Sequence, residues 1–308
     1  MLKPRALRRG DRIGLVAPAS PFGRESFDAG VNELRRLGYD PVYEESVFAR
    51  QRYTAGPPAV RAAAFRQAWE DPSIAAVVAV RGGYGSVELL PLLDVVTTRR
   101  TAKVFLGYSD NTSLLAWLTG QCGMVAFHGP MIDGRFAKGE SAYDLDTFMR
   151  VLTRATPAGE MSHPQVAALR HGEAAGPLLG GTLTNLLASL GTPYAFDPPV
   201  GHVLFIDEVA ERPYRIDRML TQLRLSGLLA RASAVVFGEL PRCDEPAPDG
   251  PAIRAVVADS LADFRGPVLF GLPSGHTDGA CMTLPLGVRA RVVTRPTPAV
   301  IIEEAAVV

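Results

Sequence analysis

The chain has 308 residues, of which 47% are hydrophobic and 21% charged, and its 32 basic residues balance its 32 acidic ones. This composition is typical of a folded globular protein and excludes disorder as the main state. A net charge of zero supplies no basic surface for nucleic acid or for an anionic membrane. The length predicts two domains of about 150 residues each.

Cysteine content and hydropathy favour a cytoplasmic protein. Cys122, Cys243 and Cys281 are too few and too widely spaced for a disulfide framework or a structural zinc site. The N-terminal residues lack the apolar segment and small-residue cleavage site of a signal peptide. No run of eighteen apolar residues occurs, so we expect no membrane span. A small molecule is the expected partner, rather than nucleic acid or membrane.

Strand-like and helix-like patterns alternate over the first half of the chain. Short apolar runs predict buried strands, and apolar residues three or four positions apart predict helices. The predicted strands are 13–17, 74–80 and 104–106, and the predicted helices are 25–37, 58–70, 87–93 and one from 112 to 118. This alternation predicts an α/β fold for residues 1–152, with a doubly wound parallel sheet of the flavodoxin or amidotransferase type.

The second half is predicted to form a smaller domain of a different class. Residues 153–176 are rich in Pro, Gly, Ala and His without periodicity, so we expect them to connect two domains. The pattern then predicts helices at 183–190 and from residue 214, and strands at 203–206, 235–237, 268–270 and within 288–302. Because no helix separates the last strands, residues 177–308 are predicted to be α+β with mixed or antiparallel strands. The proline-rich stretch 241–251 is expected to be an exposed loop.

A serine follows the third predicted strand, in the segment Gly107-Tyr108-Ser109-Asp110. On a tight strand-to-helix turn its hydroxyl is exposed, and the next backbone N–H points out of a helix N-terminus. This geometry suits a nucleophile whose tetrahedral oxyanion needs hydrogen-bond donors. The match to the G-x-S-x-G turn of hydrolases is partial because Asn111 replaces the last glycine. A helix cap by Ser109 or Asp110 is the alternative interpretation.

A glycine-rich turn, Arg81-Gly82-Gly83-Tyr84-Gly85, follows the second predicted strand. It lacks the lysine of a phosphate-binding loop and the full spacing of a dinucleotide-binding turn, so a nucleotide site is disfavoured. Three glycines in four residues indicate instead that backbone approaches a ligand closely. Both turns follow parallel strands, and we expect them at the same edge of the sheet, where binding sites form.

Two further segments carry candidate catalytic side chains. His276 lies in a polar loop after the predicted strand 268–270, and His128 is its main rival among the five histidines. No pair of histidines has the helical spacing of a zinc site, so we expect neither a metal nor a cofactor. Asp207 directly continues an apolar strand, where a carboxylate can orient a histidine.

Taken together, these segments resemble the LD-carboxypeptidase family of serine peptidases, which includes the muramoyltetrapeptide carboxypeptidases. The matching pieces occur in family order over roughly residues 13–285, and the ordered set is far more specific than any single piece. They are Val16-Ala-Pro-Ala-Ser20, Arg81-Gly-Gly-Tyr-Gly85, Gly107-Tyr-Ser-Asp110, His128-Gly-Pro130, Gly180-Gly181, Pro213-Tyr-Arg-Ile-Asp-Arg218 and Pro273-Ser-Gly-His276.

The resemblance implies a catalytic triad with Ser109 as nucleophile and His276 as base. The family acid is normally the Glu of a Leu-Glu-Asp segment, and that position falls on Asp207 in this sequence. Triads on other folds use either acid. Glu208 is the alternative if the strand register shifts by one, whereas Glu211 aligns with a neighbouring family glutamate.

The resemblance also implies an oxyanion hole formed by the backbone N–H groups of Gly83 and Asp110. Arg81, Gly82 and Arg215 are candidate substrate-binding residues, the two arginines through a substrate carboxylate.

The expected activity is release of C-terminal D-alanine from muropeptide tetrapeptides by a homodimer, through an acyl-enzyme. Three alternatives stay open. Some relatives cleave peptide-nucleotide antibiotics and confer self-immunity, and the same fold can serve a non-catalytic ligand-binding protein or a nucleotide-binding enzyme.

Overall fold

The computed structural model describes residues 1–247 and 250–308, which form two β-sheets with helices packed against them. The strands are β1 (Arg12–Val16), β2 (Asp40–Val42), β3 (Ile74–Ala79), β4 (Val104–Gly107), β5 (Ala126–His128), β6 (Gly159–Met161), β7 (Ala167–Arg170), β8 (Glu173–Thr182), β9 (His202–Asp207), β10 (Ala232–Phe237), β11 (Val268–Phe270), β12 (Leu284–Leu286), β13 (Arg289–Val293) and β14 (Ala299–Ile302).

The α-helices connect these strands. They are α1 (Arg24–Arg36), α2 (Pro58–Glu70), α3 (Val95–Arg99), α4 (Thr112–Gly120), α5 (Leu145–Thr153), α6 (Leu183–Ala188), α7 (Pro213–Leu225), α8 (Leu228–Arg231) and α9 (Ile253–Ser260). Shorter 3-10 helices lie at Glu45–Phe48, Ser86–Leu92, Ser109–Asn111, Phe136–Lys138 and Glu140–Ala142.

The first sheet has the strand order β12-β5-β4-β3-β1-β2. Strands β1 to β5 are parallel, and β12 pairs antiparallel with β5 at the edge. The order 2-1-3-4-5 is that of flavodoxin-like sheets, so the predicted doubly wound fold is confirmed. Every residue of β3 is buried. This explains its continuous apolar sequence, since parallel sheets are covered on both faces.

The second sheet has the order β6-β14-β13-β8-β9-β10-β11-β7. Its central strands β8 to β11 are parallel, and the strands outside them run antiparallel to their neighbours. The predicted mixed α+β character is therefore confirmed. Helices α6, α7 and α9 contribute to the second apolar core, which includes Leu186, Leu220 and Val257.

The segment 153–176, which we predicted to connect two domains, has regular secondary structure. It contains β6, β7 and the first residues of β8. Because β6 and β7 lie at the two edges of the second sheet, most of their side chains are partly or fully exposed and show no alternation of apolar and polar residues. In addition, β12 lies within the predicted second domain but pairs with β5 of the first sheet.

One local expectation also changes. The helix predicted over 87–93 is a 3-10 helix, Ser86–Leu92, because Pro91 has no N–H for an α-helical hydrogen bond. Of the proline-rich stretch 241–251, residues 248 and 249 lie outside the described part of the chain. Over the described ranges, no helix is both long and apolar enough to cross a lipid bilayer.

Candidate active site

Ser109 occupies the sharp turn between β4 and α4. Its φ is 63°, in the left-handed region that residues other than glycine seldom adopt. Ser109 is partly exposed, whereas Tyr108 and Asp110 on either side are buried. A serine held in strained backbone at a strand-to-helix turn has the geometry of an exposed nucleophile.

Hydrogen bonds connect the glycine-rich turn 81–85 to the serine turn, one at the start of the glycine-rich turn and one just after its end. The side-chain amide of Asn111 donates to the carbonyl of Arg81 at 3.2 Å, and the N–H of Ser86 donates to the carboxylate of Asp110 at 2.8 Å. A methyl group added to Gly82 would lie 2.8 Å from Cβ of Ser109 and 3.0 Å from its Oγ. Glycine is therefore needed here because the turn passes directly over the serine.

The serine turn and the glycine-rich turn each hold a backbone N–H group with no acceptor among the described residues. Within residues 1–247 and 250–308, the N–H groups of Gly83 and Asp110 donate to no other residue. The loop around Gly83 is nevertheless well held, because Ser20 accepts the N–H of Tyr84 at 3.1 Å and donates its own N–H to the Gly82 carbonyl at 3.2 Å. Fixed donors without an acceptor are what an oxyanion requires.

Asp207 and His276 form a hydrogen-bonded pair, although 69 residues separate them. Nδ1 of His276 lies 2.7 Å from Oδ2 of Asp207, and the His276 backbone N–H donates to Oδ1 at 3.1 Å. Because a carboxylate only accepts, Nδ1 carries the proton and Nε2 is left free as a base. Asp207 is fully buried, and the His276 side chain is 16% exposed.

The ring of His276 packs against the serine turn. Its centroid lies 5.1 Å from that of the Tyr108 ring, in an edge-to-face arrangement, and Tyr108 directly precedes Ser109. In the described part of the chain, no hydrogen bond yet joins Ser109 to His276. Such bonds are often long in the absence of substrate and shorten in the complex.

The two candidate histidines have opposite electrostatic environments. Burial disfavours the charged form of His276, but the charge of Asp207 and the hydrogen bond to it outweigh burial and raise the His276 pKa above 6.5. His128 is wholly enclosed, and burial lowers its pKa to about 4. Its Nδ1 lies 3.0 Å from Oγ of Ser274, and its Nε2 is 3.9 Å from Oδ2 of Asp207. His128 therefore lies behind the acid as a neutral side chain.

The alternative acids have other partners. Glu208 accepts the N–H of Thr184 at 3.0 Å and its hydroxyl at 2.8 Å, and burial raises the pKa of Glu208. Glu211 pairs with Arg215 one helical turn away, at 3.3 Å. Of the three carboxylates considered from sequence, Asp207 is the one that contacts His276.

The two candidate substrate arginines lie in different places. Arg81 precedes Gly82 in the turn over Ser109, pairs with Asp133 at 2.8 Å and keeps half of its side chain exposed. Arg215 lies on α7, where its hydrogen bonds within the described ranges go to Tyr214 and Glu211. The structure therefore places Arg81 beside the serine turn.

Two buried arginines near the site escaped sequence reasoning. Arg61 on α2 donates to the carbonyls of Gly85 at 2.7 Å and Gly56 at 2.9 Å, which anchors the end of the glycine-rich turn. The sequence did contain a signal for Arg61, because this residue lies four positions before Phe65 and therefore on the apolar face of the helix. Arg135, in a loop without periodicity, contacts the loop that carries His276 and had no sequence signal.

The chemistry available at the site rests on serine, histidine and carboxylate side chains. Within residues 1–247 and 250–308, no group of three or more His, Cys, Asp or Glu side chains is arranged to hold a metal ion. Cys122, Cys243 and Cys281 are unpaired and buried.

Comparison with known proteins shows the family. Residues 13–129 match the N-terminal domain of LD-carboxypeptidases, and residues 175–292 match their C-terminal domain. A putative carboxypeptidase of Streptomyces coelicolor is 38% identical, over 94% of this chain and 93% of the relative. The crystal structure of a muramoyltetrapeptide carboxypeptidase from Oxalobacter formigenes superposes with a TM-score of 0.83 at 31% identity, covering 94% of this chain and 97% of that one.

A second kind of relative is also similar in fold. The structure of the microcin C7 self-immunity protein MccF, in complex with aspartyl sulfamoyl adenosine, superposes over the full length of both chains with a TM-score of 0.93 at 25% identity. Both halves of the chain thus match one family. Its relatives are named either as carboxypeptidases or as a microcin self-immunity protein. The chain belongs to the LD-carboxypeptidase family, a family of serine-type carboxypeptidases.

Proposed function

We propose that this chain is a serine LD-carboxypeptidase that releases C-terminal D-alanine from murein-derived tetrapeptides. The observation that supports this proposal most is the Asp207–His276 hydrogen bond beside the strained turn of Ser109. Neither partner would need this geometry in a protein that only binds a ligand. The similarity to a muramoyltetrapeptide carboxypeptidase supports the substrate class.

In the proposed mechanism, Nε2 of His276 takes the hydroxyl proton of Ser109 while Oγ attacks the carbonyl carbon of the scissile amide. The N–H groups of Gly83 and Asp110 hold the oxyanion of the tetrahedral intermediate. Collapse breaks the C–N bond, and the His276 imidazolium gives its proton to the leaving amine, which departs as D-alanine. Water then loses a proton to His276 and attacks the ester, which frees the acid product and restores Ser109.

The terminal carboxylate of the substrate needs a cation close to the serine. We assign this role first to Arg81, because it is half exposed and adjoins Gly82, which lies directly over Ser109. Asp133 orients the guanidinium of Arg81 at 2.8 Å. Arg215 remains the second candidate, since it is half exposed on α7.

The proposal is tested by the variant Ser109→Ala with an L-Ala-D-Glu-diamino acid-D-Ala tetrapeptide. We expect release of D-alanine, measured by mass spectrometry, to be abolished while circular dichroism and thermal unfolding stay as in the wild type. Loss of one hydroxyl from a partly exposed side chain leaves the packing intact. Undiminished release of D-alanine by the variant would refute Ser109 as the nucleophile.

A second candidate substrate is a peptide-nucleotide antibiotic. The full-length similarity to MccF bound to aspartyl sulfamoyl adenosine favours it. We propose that the same triad would then cleave the amide between the acidic residue and the adenylate. Turnover of the tetrapeptide and of aspartyl sulfamoyl adenosine, measured side by side with one enzyme preparation, separates the two, because the preferred substrate has the higher kcat/KM.

The family resemblance leads us further to propose that the enzyme acts in the cytoplasm, in murein recycling, as a homodimer. Light scattering after size-exclusion chromatography tests the oligomeric state. A mass of one chain at micromolar concentration would contradict the dimer.

A further inference from the structure

We infer that Arg135 is a positioning residue that fixes the loop carrying His276 by donating hydrogen bonds to its backbone carbonyls. This inference rests on the proposed role of His276 as the base. It concerns a side chain from the first half of the chain that acts on a loop of the second half.

Arg135 donates hydrogen bonds to the backbone on both sides of His276. Its Nη2 donates to the carbonyl of Gly275 at 2.8 Å and to that of Thr277 at 2.7 Å, the residues immediately before and after His276. Its Nη1 donates to the carbonyl of Gly279 at 3.0 Å. Arg135 lies just before the 3-10 helix Phe136–Lys138 and is only 9% exposed.

The loop between β11 and β12 needs such support because it has no regular secondary structure. Buried carbonyls in such a loop must find donors outside it. Asp207 holds the same stretch from the other side, by accepting the backbone N–H and ring N–H of His276. His276 is thus fixed between a carboxylate that accepts from it and a guanidinium that binds both neighbouring carbonyls.

The charge of Arg135 distinguishes it from an ordinary loop anchor. Within the described ranges no carboxylate lies at salt-bridge distance from its guanidinium, so the buried charge is compensated by the backbone carbonyls to which it donates. Its planar fork of donors matches several carbonyls at once, which a lysine ammonium cannot reproduce. The positive charge also opposes protonation of His276 and so lowers the His276 pKa, against the larger effect of Asp207.

Other ionisable groups also face His276 or its loop, and they stay constant between the variants below. They are Asp207 and Glu208 at the end of β9, Tyr108 after β4, His128 on β5, Cys281 in the loop itself, and Glu239, which accepts from Thr277 and Asp278.

The test uses Arg135→Lys and Arg135→Ala in the full-length enzyme. The matched control is Arg150→Lys, because Arg150 also donates to backbone carbonyls, those of Ala158 and Glu160, but outside the site. Two readouts are needed: the rate at which a fluorophosphonate labels the active-site serine, and kcat and KM for the tetrapeptide. The labelling rate depends on the triad but not on the choice of substrate.

We expect Arg135→Lys to lower kcat and the labelling rate about 100-fold with KM nearly unchanged, as for a catalytic group displaced by about 1 Å. The acid limb of its kcat/KM profile should stay at the wild-type pH because the charge is kept. In Arg135→Ala, loss of the charge should move that limb to higher pH. Added guanidinium, far below unfolding concentrations, should restore part of the rate by filling the vacated space. The Arg150→Lys control should keep wild-type rates.

Wild-type kcat and labelling rate in Arg135→Lys would overturn the inference, and this variant decides the matter alone if Arg135→Ala does not fold. A rise in KM without a fall in kcat would also overturn it, since that would indicate a substrate-binding role. If the wild type neither reacts with the fluorophosphonate nor releases D-alanine, the proposed function and this inference both fail. If the wild type does both, only the role of Arg135 is in question.

Discussion

Replacement of Asp207 by asparagine removes the charge of the acid while keeping its size. Asp207 is fully buried, and its carboxylate accepts both the ring N–H of His276 at 2.7 Å and the backbone N–H of the same residue at 3.1 Å. An asparagine can accept only through one oxygen, and its amide turned toward the ring would favour the wrong tautomer of His276. The fold should survive, because the substitution adds no volume to the site.

The size of the effect follows from the separation of the charges. In the proposed mechanism His276 takes the proton of Ser109, and an imidazolium forms within hydrogen-bonding distance of the Asp207 carboxylate. At an effective dielectric constant of about 20, two unit charges about 3–4 Å apart attract by roughly 4–6 kcal/mol. Loss of that attraction in the transition state lowers kcat by about 10³- to 10⁴-fold. A loss of this size is easily separated from the effect of a small shift in packing.

The pH dependence gives an independent check. The proposed mechanism requires the free base form of His276, so kcat/KM should fall as the pH drops through the His276 pKa, which Asp207 raises above 6.5. In Asp207→Asn, burial and Arg135 remain and both lower the His276 pKa, so the acid limb should move to lower pH. Tetrapeptide kinetics between pH 5 and 9 measure both effects. An unchanged acid limb, or a greater loss of kcat in Glu208→Gln, would refute Asp207 as the triad acid.

Two further outcomes follow from close packing and from burial. Gly82→Ala should lower kcat by about 10-fold or more, since its methyl group would press on Ser109 at 2.8 Å, whereas Gly120→Ala, with open space around it, should leave D-alanine release unchanged. In the folded protein the His128 pKa is lowered to about 4, so wild-type stability should fall by up to about 3 kcal/mol as the pH drops from about 6.5 to 4. His276 does not contribute to this loss of stability. Its pKa is raised in the folded protein, so the stabilisation that it provides is fully present below the pKa of the unfolded state and is lost only at higher pH. The variant His128→Asn keeps a hydrogen-bond donor for Ser274. Its free energy of unfolding, measured in urea, should depend less on pH between about 4 and 6.5 than that of the wild type. An equal pH dependence in the variant and the wild type would show that His128 is not the cause.

Much of the first sheet could be predicted because its local signals agree with its tertiary environment. The strand over 74–80 is an uninterrupted apolar run, and helix α1 ends where Gly38 adopts a φ of 91°. Strand β8 was missed for the opposite reason. Its sequence contains Gly176, Gly180 and Gly181, which have low strand propensity. Added methyl groups at the first two would lie less than 2 Å from carbonyl oxygens of Gly201 and Phe205, so contacts with neighbouring chain segments require glycine there.

The sequence by itself determined the serine turn and the glycine-rich turn, because each is built from neighbouring residues whose backbone conformations follow from local chemistry. It also indicated Asp207 and His276 as separate candidates. Only the tertiary structure decided that these two meet, since they are 69 positions apart in the sequence and no local signal encodes their distance. The tertiary structure alone also decided that Arg135 donates to the carbonyls on either side of His276. Contacts between distant segments arise when the two sheets pack together. Hydrophobic burial drives that packing, but it does not determine which polar side chains meet.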